Sequence, residues 1–184
     1  MTLQHWSVFL CAAVVVSTQP SRPELTTMTD PAVYAIYGAL LDSQLWVDRT
    51  DQVLFIVQET RYPPGCRPSK PAPEVWRSAA ADFERQNTRG WRLQAPLPTA
   101  IRYFLVPRAD IEADDEPLAR QNPERMQNRP GSVAFAEFSA VGFDADRTRA
   151  IVYAHRRDAG GLYVMERHLD RWAVSSGWGC RWVR

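Results

Sequence analysis

Two of the chain's three histidines, His155 and His168, bracket Glu166 in a stretch of β-branched and aromatic residues. Two imidazoles and a carboxylate are residue types that can hold Zn²⁺ with one open position, or act as general base and acid in a hydrolysis. No His-Glu-x-x-His string or comparable signature carries them. A solvated sheet face beside Arg156 and Arg167 accounts for the same three residues. A metal-dependent or acid/base hydrolase using His155, Glu166 and His168 is therefore the alternative reading, and no resident metal or cofactor is assigned.

Other candidates are weaker. Asp144, Asp146 and Thr148 alternate like the start of a calcium loop. The sixth position is Arg149 instead of Gly, and the twelfth is His155 instead of Glu, so a hairpin turn explains them. Glu112, Asp114, Asp115 and Glu116 read as a solvated acidic loop. Nucleophile-elbow, dinucleotide, P-loop and Cys-x-x-Cys strings are missing. Trp91, Trp178 and Trp182 lie near glycines or in the terminal segment, where an indole could stack on a sugar or anchor a partner. Trp76 and Trp172 fit core positions better.

These side chains need a scaffold. At 184 residues, 45% hydrophobic and 23% charged, the chain has the prior of one compact domain. A net charge of +1 gives no electrostatic footprint for nucleic acid. Asp30-Pro31 is an N-cap followed by a favoured first helical residue. Val33, Ile36, Tyr37, Leu40, Leu41 and Leu45 then mark one apolar helical face. Val53–Val57 and Ile101–Val106 are short apolar strand candidates. A second helix is expected from about Glu74 to Asn87, with Trp76, Ala79, Ala80 and Phe83 on one face. Ser132–Val141, Thr148–Arg157, Leu162–Leu169 and Trp172–Gly177 are separated by short turns, which predicts a four-stranded antiparallel meander. Pairing Arg157 with Leu162, and Leu169 with Trp172, puts Val152, Ala154, Met165, Leu169, Trp172 and Val174 on one apolar face. Ile151, Tyr153, His155, Val164, Glu166, His168 and Ser175 fall on the other. The expected fold is α+β, with N-terminal helices packed on that meander.

The N-terminus adds an expectation about location. Trp6–Val16 is an uncharged apolar run of signal-peptide length, shorter than the about 20 residues a membrane span needs. Residues 1–17 are read as a signal peptide, 18–29 as a linker and 30–184 as one domain, giving a periplasmic or secreted protein with no stable transmembrane span. A start at Met28 would instead leave it cytoplasmic. Export would remove Cys11, and Cys66 and Cys180 would remain as a possible disulfide.

The run from Phe138 to Tyr153 (FSAVGFDADRTRAIVY), the Gly160-Gly161 turn and Asp170-Arg-Trp-Ala-Val resemble a group of uncharacterised exported bacterial proteins. Those read roughly as S-x-V-G-F-N-x-D-R-T-x-A-L-V-Y, a Gly-rich turn and G-x-W-x-V. The resemblance covers about Pro130 to Trp182. It implies export and a shared architecture, and it assigns no activity. The function expected from the sequence is an exported non-enzymatic domain that binds a protein or envelope component, not nucleic acid. A small-molecule carrier with a pocket on a curved sheet is a further alternative.

Overall fold

The computed structural model describes residues 25–43, 54–61, 66, 72–110, 134–156 and 159–181, with backbone alone for 134, 135, 156, 159 and 178–181. The putting-together of these segments begins with Asp30. Its Oδ1 accepts from the Ala32 N–H, Pro31 takes the first helical position, and α1 runs over Pro31–Leu41. The helix closes at Leu41 with Asp42 as C-cap, short of the expected end at Leu45, which itself lies outside the described residues. Before it, β1 (Thr26–Thr27) pairs with β3 (Trp91–Arg92), and Met28 is buried, so the expected linker already takes part in the fold there.

The main sheet has seven strands. Its order is β4 (Tyr103–Val106), β2 (Leu54–Val57), β5 (Ala134–Phe138), β7 (Arg149–Arg156), β8 (Ala159–His168) and β9 (Arg171–Arg181), with β6 (Gly142–Phe143) also on β7. This corrects the expected architecture of helices packed on a four-stranded meander. The protein is mostly β; α1, a 3-10 turn at Glu74–Trp76 and α2 (Arg77–Gln86) are short, and residues 108–110 are also helical. The reason lies in β2. It runs parallel to both β4 and β5, so it is an inner strand of a mixed sheet and not an accessory to a meander. Inner parallel strands are covered on both faces and therefore read as unbroken apolar runs, as Leu54–Val57 does.

The strands from β5 to β9 are antiparallel. The β7–β8 ladder sets Leu162 opposite Tyr153, not Arg157. That displacement is an even number of residues, so the faces are unchanged. Ala150, Val152, Ala154 and Met165 join Ile36, Tyr37, Leu40 and Leu41 of α1 in the larger core, with Trp172 and Val174 half-buried against it. Burying each Val, Ile, Leu or Met side chain of this set contributes about 1.5–3 kcal/mol. Leu169 leaves that set: it is a turn residue with φ 57° and is 96% exposed.

On the other face, Ile151, Tyr153, Leu162 and Val164 pack with Trp76, Ala79 and Phe83 from the α2 region and with Cys66. The chain bends between β5 and β6. There Ser139 is fully buried, and its Oγ accepts from the Tyr153 N–H at 2.8 Å. Its carbonyl accepts from the Tyr37 hydroxyl at 2.7 Å, while the Tyr37 ring stacks on Phe138. Burial pushes the Tyr37 phenol well above its ordinary pKa, and Tyr34 adds to the effect.

Candidate functional site

The three residues of the hydrolase reading share a face but do not converge. His155 stands opposite Glu137 on β5 and Gly160 on β8. Glu166 is six positions further along β8, opposite Arg149, a separation of roughly 20 Å at strand rise. His168 lies near Glu166, with Nε2 to Oε2 at 3.8 Å, and its side chain is largely exposed. The carboxylate that register brings to His155 is Glu137, which Arg108 holds at 2.9 Å. Among the described residues no three His, Cys, Asp or Glu side chains are grouped to hold a metal ion.

Asp144 caps the β6–β7 turn. Its Oδ1 accepts from the Thr148 and Arg149 N–H groups, and its Oδ2 accepts from the Thr148 hydroxyl. That is the hairpin role, not calcium ligation. Of the tryptophans, Trp91 is half-buried and donates its ring N–H to the Gln86 carbonyl. The Trp178 side chain, Trp182, the Cys180 side chain and the acidic run 112–116 lie outside the described residues, as do the segment 1–17 and Cys11. Cys66 is buried and disulfide-bonded.

One concave feature of the described surface is a cleft of about 460 Å³. Its lining comes from the start of α1 (Met28–Asp30 and Val33), the end of α2 (Asp82 to Arg89), Trp91, and the β6 region from Ala140 to Arg147. Local chemistry sets α2 against β6. Asp82 Oδ2 accepts from the Phe143 N–H at 2.8 Å. The Asn87 side chain accepts from the Ala140 N–H at 3.0 Å and donates to the Ala140 carbonyl at 3.2 Å, closing an amide-to-peptide pair. Gly142 permits this approach, since a Cβ there would lie 2.1 Å from the Phe83 nitrogen.

Two arginines are pinned over aromatic rings at this cleft. Arg89 lies 4.1 Å above Trp91, and Arg147 lies 4.1 Å above Phe143. Arg147 also pairs with Asp30, the N-cap of α1, and Arg85 pairs with Asp82. Arg147 has φ 55°, a left-handed conformation that costs a non-glycine residue about 1–2 kcal/mol. The cation–π contact and the Asp30 pair are what this side chain gains there.

Sequence reasoning missed Arg85, Arg89 and Arg147, because an isolated arginine in a helix end or turn reads as solvated. A usable signal was Arg89 two positions before Trp91, and Arg147 four after Phe143, each an arginine beside an aromatic at a turn. In comparisons with family models, with curated proteins and with solved structures, the chain finds no match.

Proposed function

We propose that this chain is an exported, non-enzymatic binding domain, and that the cleft between α1, α2 and β6 is its ligand seat. The observation that carries the reading is the cleft itself: about 460 Å³, within the size range of small-molecule sites, with two ring-stacked arginines in its wall. Each guanidinium carbon already lies over a ring before a ligand arrives, which lowers the ordering cost of binding. The hydrolase reading has no comparable assembly, since the strands keep His155 away from Glu166.

Export is supported by the disulfide at Cys66, because such bonds persist in oxidising compartments. We assign Cys180 as its partner. The Cys180 backbone stands opposite Gly160, two residues before Leu162, and Cys66 belongs to the same buried cluster as Leu162 and Val164. Among the described residues no helix is long and apolar enough to cross a membrane.

The test is a fragment screen followed by two-dimensional amide NMR on the full chain recovered from an exporting host. Hits that shift Val33, Arg89, Trp91 and Ala140–Ala145 are expected. Hits confined to other surfaces would overturn the cleft as the seat. Intact mass on the same sample should show loss of the segment up to about Ser17 and an about 2 Da deficit for one disulfide; an uncut chain with free thiols would overturn export.

A further inference from the structure

We infer that the cleft takes a small organic anion carrying two or more oxyanion groups, carboxylate or phosphate, held by Arg85, Arg89 and Arg147. This rests on the cleft being the ligand seat and adds the chemistry of the ligand.

By formal charge the lining is neutral: Asp30, Asp82 and Asp144 match the three arginines. Exposure breaks the symmetry. The Asp82 and Asp144 side chains are 13% and 7% exposed, whereas those of Arg85 and Arg147 are 74% and 45% exposed. Asp30 is 33% exposed and paired with Arg147, so two of the three negative groups are set back while the positive groups project.

Hydrogen-bond accounting points the same way. Asp30 Oδ1 takes the Ala32 N–H and its Oδ2 takes Arg147. Asp82 Oδ2 takes the Phe143 N–H, and its Oδ1 takes both Arg85 and Gln86. Both Asp144 oxygens serve the turn. Every carboxylate oxygen of the cleft is thus occupied by a donor of the protein itself. The guanidinium groups are not saturated. Each has five N–H donors. Arg85 and Arg147 each use one toward a carboxylate, and Arg89 makes no hydrogen bond or ion pair among the described residues, only its contact with Trp91. A site with spare donors and occupied acceptors is complementary to a ligand rich in acceptor oxygens. Guanidinium forks match the oxygens of carboxylate and phosphate. The volume exceeds what a single phosphate fills, and three cations around one space match a ligand with several oxyanion groups.

The experiment titrates the full chain with citrate and with inorganic phosphate, using spermidine and glycerol as cationic and neutral controls. Readouts are tryptophan fluorescence and amide shifts. Saturable citrate binding that moves Arg89, Trp91, Phe143 and Arg147 is expected, weakening as salt is raised. Phosphate alone should bind more weakly. Arg89→Gln and Arg85→Gln should each weaken citrate by about ten- to a hundred-fold, the scale of a lost charge-assisted bond. Arg167→Gln, away from the cleft, should leave it unchanged, and all three should keep the parent melting temperature.

If spermidine or glycerol moves the cleft residues and citrate does not, the ligand class is overturned and the cleft remains the seat. Citrate binding that ignores Arg89→Gln and Arg85→Gln would also overturn the inference. If neither the probes nor the fragment library moves the cleft, both readings fall together.

Discussion

α1 and α2 lie on opposite faces of one sheet and are held there by different proportions of apolar packing and directional bonding. α1 buries seven of its eleven residues, whereas α2 buries two of its ten, Ala79 and Phe83. Around α1 most contacts are apolar, with the Tyr34 and Tyr37 hydroxyls donating to the Met28 and Ser139 carbonyls, and Gly38 lets the Pro98 backbone come close enough that a Cβ would meet its carbonyl oxygen at 2.3 Å. α2 is fastened by directional bonds from Asp82 and Asn87 to the β6 segment. One wall of the cleft is therefore part of the core, and the other is set by a few hydrogen bonds. The position of Arg85 and Arg89 depends on those few bonds, while Asp30 moves only if the core does.

That difference can be attacked from its strongest side first. Leu40 is fully buried, so Leu40→Ala should cost about 2–5 kcal/mol by denaturant unfolding. A loss well under 1 kcal/mol would mean that α1 is not the packed wall. Asn87→Ala strips two bonds from the Ala140 backbone and should cost roughly 1–3 kcal/mol. Its sharper signature is local. Hydrogen exchange should accelerate at Ala140–Phe143 and in α2, with α1 protection falling only by the global change; equal acceleration in α1 beyond that would erase the contrast.

Tyr37→Phe is the mildest change, removing one buried hydroxyl bond for roughly 1 kcal/mol. It also carries a pH test. Burial holds the Tyr37 phenol protonated above its ordinary value of 10.0. The raised pKa contributes stability that is present in full below pH 10.0 and is lost as pH rises, because there the unfolded chain releases its proton and the folded chain keeps it. Unfolding midpoints followed through that range should fall less steeply in Tyr37→Phe than in the parent. Parallel alkaline limbs would show that Tyr37 is not the group responsible.

Local structure was readable where backbone and side chain agree on one signal. Asp30-Pro31 and the apolar spacing after it define α1, and Asp82 to Asn87 falls within the second expected helix. The alternation along Ile151–Ala154 sorts side chains to two faces even with a displaced register, because an even displacement preserves them. Strand order was not readable. An apolar run such as Leu54–Val57 declares a buried strand but does not name its neighbours, and β2 gains both of them by long-range parallel pairing. The β5–β6 break escaped notice because Ser139 interrupts an otherwise apolar pattern by one small residue whose hydroxyl bonds to backbone. The cleft was hidden for a related reason: Arg85, Arg89 and Arg147 come from two distant segments, and only the docking of α2 on β6 brings them to one space.

The parallel placement of β2 also governs when the chain can finish folding. Its neighbour on one side starts at Tyr103, and its neighbour on the other starts at Ala134, about 80 residues after β2 ends. At ordinary translation speeds of about 5–20 residues per second, that interval lasts roughly 4–16 s. Through it Leu54–Val57, an unbroken apolar segment, has an unpaired edge. An inner strand of the finished sheet, one in from the β4 edge, is thus the adhesive part of the nascent chain, and the segment that a holding chaperone would have most reason to cover.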